Sequence, residues 1–266
     1  MHNIAVIKIG TSVLSNNGKL DKGVLKGIVD EISRVKNMGY PVAVVTSGAI
    51  LTGIEALGIS KKPSALSLRE KQVSAAVGQP LLMKEYVDLF AERGIKVAQI
   101  LVTEEDFSIK TCFNNFIRTT RALIESGIIP VINENDAISV KELVNVLNVS
   151  NLVRFGDNDR LSAIISSNLK ASRLVIMTDV DGVLDQKGRI MKQLKSGEIE
   201  SLTKKLRGIS EYGRGGIRSK LEAALLASSN GVTVNIINGK KRGLLIQVFE
   251  GKEAGTVITP SQTVSK

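Results

Sequence analysis

Lys8 lies in the stretch Ile4-Ala5-Val6-Ile7-Lys8-Ile9-Gly10-Thr11-Ser12, where it is the one charge in an apolar run that closes on a glycine and two hydroxyls. Such a run suits a strand buried on both faces of a parallel sheet. A lysine inside it either snorkels to water or turns its ammonium toward an anion at the sheet's carboxyl edge, where open α/β sheets bind ligands. With Thr11 and Ser12 as donors beside it, phosphate is the anion that fits best. Similar polar clusters follow other apolar runs. Thr46-Ser47-Gly48 follows 41–45, and Asn133-Glu134-Asn135-Asp136 follows 128–132. Gly156-Asp157-Asn158-Asp159 precedes Leu161, Ala163, Ile164 and Ile165, so two carboxylates and an amide crowd one helix start, where capping accounts for only one of them. Gly213-Arg214-Gly215-Gly216-Ile217-Arg218-Ser219-Lys220 opens a further helix, and a glycine-rich loop entering a helix with a lysine is a phosphate-cradling pattern. The Gly-x-x-x-x-Gly-Lys-Ser/Thr spacing of a P-loop is absent. Each cluster alone also has a plainer explanation: a lysine reaching water, an ordinary helix cap, a solvated turn.

The elements that must position these residues alternate between strand and helix. The spacing predicts helices over 20–38, from 49 to 57, over 66–93 with an interruption at Gly78-Gln79-Pro80, over 111–126, and from the two clusters at 157–159 and 213–220. Strands are expected at 4–9, 41–45, 95–102, 128–132, 173–177, 232–237 and 256–259. Thr178-Asp179-Val180-Asp181-Gly182 follows the fifth of these, and with Val183, Leu184, Arg189 and Ile190 beyond, it reads as a hairpin leaving the sheet. The segment 137–155 alternates weakly and reads as a β-excursion or flap. No repeat, low-complexity stretch or linker is present, so the expected organisation is one domain over 1–266.

Composition narrows the chemistry. The 266 residues include one cysteine, Cys112, and one histidine, His2, which excludes an intrachain disulfide, a zinc site and any histidine-based triad. Acid, base and metal work falls on Asp, Glu and Lys. Thirty-six Lys and Arg against 26 Asp and Glu give a formal charge of +10, compatible with nucleic acid, an anionic small substrate or simply a soluble surface. With no tryptophan and 3% aromatics, no basic run is interleaved with stacking side chains, so a nucleic-acid role is disfavoured. No apolar run approaches the roughly 18 residues needed to cross a bilayer, and no secretory leader pattern is evident, so a cytosolic protein without membrane association is expected.

Taken in order, Val6 to Ser12, Val44-Val45-Thr46-Ser47-Gly48-Ala49-Ile50, Asn133 to Ala137, Gly156 to Asp159 and the loop ending at Lys220 resemble the amino-acid kinase superfamily over nearly the whole chain. Within it, the single Gly10 followed by Thr11-Ser12 is similar to the glutamate 5-kinase form, where relatives acting on other acids carry Gly-Gly or another variant. The resemblance implies a three-layer αβα sandwich around a mainly parallel sheet, with glutamate and ATP meeting over its carboxyl edge. It also implies that Lys8 and Lys220 neutralise the transferring phosphoryl group while Asp159 orients them. Ser47, Asp136 and Asn158 would hold glutamate. Lys8, Thr178, Asp179, Arg214, Gly215, Gly216, Ile217, Arg218, Ser219 and Lys220 would hold ATP, with Mg2+ bridging its phosphates. Phosphoryl transfer asks for in-line positioning and positive charge, which suits two lysines and no histidine.

The nucleotide loop departs from the family's Gly-Thr-Gly-Gly-Met-x-Thr-Lys at Arg214, Ile217 and Ser219. The segment 139–154 is longer than in bacterial members, which bears on whether proline inhibits. No PUA domain is expected, and the family suggests a homo-oligomer, a dimer or tetramer. A non-catalytic sensor on the same fold is the competing possibility, against which the retained Lys8, Asp159 and Lys220 argue.

Overall fold

The apolar run around Lys8 forms β1 (Ala5–Ile9), buried at every position. The computed structural model, which describes residues 3–139, 157–195, 197–199, 201–202 and 215–260, places β1 inside an eight-stranded sheet. β2 (Ser15–Asn16) and β3 (Lys19–Leu20) pair separately as a small hairpin. The remaining strands are β4 (Val42–Val45), β5 (Val97–Val102), β6 (Ile129–Glu134), β7 (Arg173–Thr178), β8 (Gln193–Lys195), β9 (Thr233–Asn238) and β10 (Thr256–Thr259). Their order is β5-β6-β4-β1-β7-β9-β10-β8. Every pairing from β5 across to β9 is parallel, whereas β10 runs antiparallel to β9 and carries β8 parallel to itself. The chain leaves β1 for β4 on one side and returns to β7 on the other. β1 is therefore the switch point, the place where an open α/β sheet offers a crevice beyond its strand ends.

Helices cover both faces: α1 (Thr11–Leu14), α2 (Lys22–Asn37), α3 (Ala49–Ala56), α4 (Leu68–Ala91), α5 (Glu104–Ser108), α6 (Lys110–Glu125), α7 (Asn158–Leu169), α8 (Gly215–Ser229) and α9 (Leu244–Phe249). The two-residue period of a strand divides β1 between two cores. Ile4 and Val6 pack with Phe116 of α6, Leu161 of α7 and Leu221 of α8. Ala5, Ile7 and Ile9 pack with Ile28 and Ile32 of α2, Leu82 and Tyr86 of α4, and Leu245 of α9. The expected three-layer αβα sandwich is what forms. By the same alternation Lys8 belongs to the face covered by α6, α7 and α8.

Three local expectations change. The helix expected to break at Gly78-Gln79-Pro80 runs unbroken as α4, with Pro80 inside it. Pro80 faces out, while its neighbour Gly78 is clamped against α3: a Cβ on Gly78 would lie 1.9 Å from the Ala49 carbonyl oxygen and 2.3 Å from the Gly53 nitrogen. Contact between the two backbones holds the helix through a residue that removes one of its hydrogen bonds. The hairpin beyond β7 turns at Asp185 to Gly188, where Asp185 Oδ1 accepts from the Lys187 and Arg189 amides and Leu184 bridges Ile190. The third change is a set of short elements that no pattern announced: the β2–β3 hairpin, α5, β8 and α9. Of the flap expected over 137–155, residues 140–155 lie outside the described residues, as do Gly156 and Gly213-Arg214.

Candidate active site

At the end of β1 the backbone passes Gly10, whose φ of −77° is available to any residue, so space rather than conformation requires glycine there. A Cβ would stand 3.2 Å from the Met177 carbonyl oxygen and 3.4 Å from Lys8 Nζ. Two residues back, Lys8 is 5% exposed, and its ammonium lies 2.6 Å from Asp159 Oδ1. Asp159 is the second residue of α7 and is itself 2% exposed. Its other oxygen, Oδ2, accepts from Lys220 Nζ at 3.2 Å and from Ser219 Oγ at 3.0 Å, both in the second turn of α8. One buried carboxylate thus ties two lysines from opposite ends of the chain. Burial pushes the Asp159 carboxyl up, but the charge of Lys8 and then that of Lys220 outweigh it and hold it below the usual carboxylate range. The three groups carry a net charge of about +1, the sign that welcomes a phosphoryl oxygen.

Asp157 caps α7, accepting from the Asp159 and Arg160 amides, so capping takes one of the acidic cluster and leaves Asn158 and Asp159 to other work. Asn158 Nδ2 lies 2.9 Å from the Thr46 carbonyl oxygen, 2.8 Å from Ser47 Oγ and 3.0 Å from Asn133 Oδ1. It therefore stitches together the ends of β4 and β6. After β4 the chain turns through Gly48 at φ 109°, a left-handed position that a side chain would strain, and enters α3. Thr46 is held from behind by a 2.7 Å hydrogen bond between its hydroxyl and the Tyr86 hydroxyl of α4. Ser47, Asp136 and Asn158 border one cleft of about 480 Å³, with Thr11, Glu134, Asp157 and Lys71. That size suits a small polar metabolite.

On the other side of β1, Asp179 follows β7 and accepts from Ser12 Oγ at 3.1 Å and Thr178 Oγ1 at 3.2 Å. Burial again raises its carboxyl, and the hydrogen bonds together with Lys240 bring it below the usual range. Of the residues assigned to the nucleotide, Gly215 and Gly216 open α8. Ile217 packs half-buried against the core under α7, and Arg218 pairs with Glu222 at 2.9 Å. Arg214 lies outside the described residues. Sequence reasoning passed over Gln79, whose Oε1 accepts from Asn133 Nδ2 at 2.9 Å. A glutamine inside a helix has no local signature, and only the packing of α4 brings it to this edge. Lys71, one turn into α4 and bordering the cleft, was missed for the same reason.

Residues 3–238 match the amino acid kinase family. The chain belongs to this family. As an amino acid kinase family member it is 40% identical over 259 residues to the glutamate 5-kinase of Clostridium perfringens, covering 95% of this chain and 93% of that enzyme. It is 38% identical to the glutamate 5-kinase of Pelobacter propionicus over 96% of this chain and 67% of the relative. Among solved structures, carbamate kinase from Giardia lamblia bound to AMP-PNP superposes with a TM-score of 0.66 at 18% identity, covering 97% of this chain and 99% of that one. N-acetylglutamate synthase from Neisseria gonorrhoeae, complexed with coenzyme A and N-acetyl-glutamate, gives 0.70 at 17% identity, and the chain spans 61% of its length. At these identities the two structures speak to the fold, the same αβα sandwich that the amino acid kinase chain builds here.

Proposed function

We propose that the protein transfers the γ-phosphoryl group of ATP to the γ-carboxylate of L-glutamate, making γ-glutamyl phosphate, the first step of proline biosynthesis. The observation that carries this reading is the buried Lys8–Asp159–Lys220 cluster set beside a cleft bordered by Ser47, Asp136 and Asn158. A glutamate side chain is already ionised at neutral pH, so the attacking oxygen has no proton to lose and no general base is required. Its bond to the γ-phosphorus forms as the bond to the bridging oxygen breaks, and the electron pair leaves with ADP. What remains for the protein is to align the two anions and to neutralise charge on the equatorial oxygens, the part given to Lys8 and Lys220. Asp159 keeps the two ammonium groups apart and aimed.

Asp136 takes the α-ammonium of glutamate, with Ser47 and Asn158 completing its seat. Thr178, Asp179 and the 214–220 loop take the nucleotide. Among the described residues no three His, Cys, Asp or Glu side chains cluster as a metal cage. Mg2+ would be carried on the nucleotide phosphates held by Thr178, Asp179 and the 214–220 loop, and would supply positive charge there. The same reading makes the chain one catalytic domain acting in the cytosol as a homo-oligomer. In its support, no helix among the described residues is long and apolar enough to cross a membrane, and Val73, Leu81 and Val87 are exposed along α4. The deciding experiment incubates the protein with ATP, magnesium, glutamate and hydroxylamine. A glutamyl hydroxamate that appears only with glutamate is expected, and ADP release indifferent to glutamate, with no hydroxamate, overturns the assignment.

A further inference from the structure

We infer that Gln79, on α4, is a positioning residue for the substrate amide Asn158, acting through Asn133. The orientation of each amide in this chain is forced by a partner that cannot change roles. Asn133 Oδ1 accepts from the Glu134 backbone N–H at 2.9 Å, and a backbone N–H can only donate. Asn158 Nδ2 donates to the Thr46 backbone carbonyl at 2.9 Å, and a carbonyl can only accept. Asn133 must therefore point its oxygen at Asn158 and its nitrogen at Gln79, and Gln79 must answer with Oε1. Asn133 is 1% exposed and Gln79 8%, so water is a poor replacement for either partner. The chain of amides ends on Asn158 Oδ1, a buried oxygen without a hydrogen-bond partner among the described residues. The side-chain N–H donors of Asn158 are spent inside the protein, so what its amide holds in reserve is an acceptor. An acceptor on a residue that borders the same cleft as Asp136 suits an ammonium, and Gln79 is the far anchor that keeps it an acceptor. The helix bearing Gln79 can reach this edge because α3 and α4 meet backbone to backbone at Gly53 and Gly78.

The inference rests on the reading of Asn158 as a substrate contact, and the test separates the two. Gln79→Met removes the acceptor at similar volume, while Gln79→Glu retains one for the Asn133 amide. With the hydroxamate assay under varied glutamate and varied ATP, Gln79→Met is expected to raise KM for glutamate by about fivefold or more. KM for ATP should move by less than about twofold, and Gln79→Glu should recover most of the loss. Parallel rises in both KM values, or a Glu variant no better than Met, reduce Gln79 to packing and overturn the inference. Side-chain amide NMR on the unliganded parent provides a second arm that needs neither activity nor a folded variant. The Asn133 and Asn158 carboxamide protons should resist solvent exchange, and rapid exchange of either refutes the lock even if the enzyme is active. Protected amides in a protein that makes no hydroxamate would instead leave the lock standing and remove the activity.

Discussion

Asp159 concentrates the catalytic reading in one side chain, because each of its oxygens faces a different lysine. Lys8→Ala or Lys220→Ala should lower kcat on the order of 10²-fold while changing KM for glutamate far less, since the charge they meet develops during transfer. Steady-state kinetics of either variant with near-normal kcat would remove that lysine from the mechanism. In the proposed reaction Asp136 serves recognition. A carboxylate that gains a charge-assisted hydrogen bond from an ammonium is left desolvated and alone when the amine is acetylated, at roughly 1–3 kcal/mol. Glutamate should therefore be preferred over N-acetylglutamate by at least about tenfold in kcat/KM, and Asp136→Ala should narrow that preference. Equal proportional losses toward both substrates would make Asp136 structural.

At the next scale, α4 ties the substrate edge to the body of the protein, and its seat on α3 is closed by glycines. In Gly78→Ala the new methyl would meet backbone atoms of Ala49 and Gly53 that cannot swing aside. The expected cost is about 1–3 kcal/mol or more, read as a fall in the urea midpoint of unfolding, together with a raised KM for glutamate because Gln79 is the adjacent residue. An unchanged midpoint would show that the two helices can part without loss. The continuity of α4 was hidden from the sequence because Pro80 signals a break, and the opposing signal, α3 pressed against Gly78, comes from residues about thirty positions away. By contrast β1, β4, β6 and β7 were legible, since strands covered on both faces leave uninterrupted apolar runs with their polar ends in view. The antiparallel β10 and the short β8 are set by what they pair with, which no local pattern records. In the candidate site, the polar clusters that hold Lys8, Ser47, Asp136, Asn158, Asp159 and Lys220 stood out at strand ends and helix starts, and the resemblance picked out the single residues, while Gln79 and Lys71 sit inside a long helix without a local signature.

Across the whole molecule several carboxyls lie below their ordinary values, among them Asp159, Asp179, Asp185 and Glu70, the last at about 2 through Lys61 and its own helix cap. A carboxyl held below its unfolded value contributes stability that is complete above that value and is lost as the pH falls through the folded one. Asp159 allows this to be isolated. With Lys8→Met and Lys220→Met combined, burial would be opposed only by the Ser219 hydrogen bond, and its folded value would rise above the unfolded one. The variant's deficit in unfolding free energy relative to the parent should then be largest near neutrality and shrink as the pH drops through about 4. A deficit that is flat between pH 7 and 3 would mean that the lysines do not set the charge of Asp159. The alternation of β1 between two cores has a consequence of another kind. Lys8 faces α7 only because Ile4 and Val6 occupy the same face and Ala5, Ile7 and Ile9 the other. Deleting or inserting a single residue in this strand would carry the ammonium to the wrong side of the sheet and offer a hydrocarbon to Asp159. Insertion–deletion scanning should therefore show a reading-frame effect within β1, with one-residue changes silencing the enzyme more completely than point substitutions at its apolar positions.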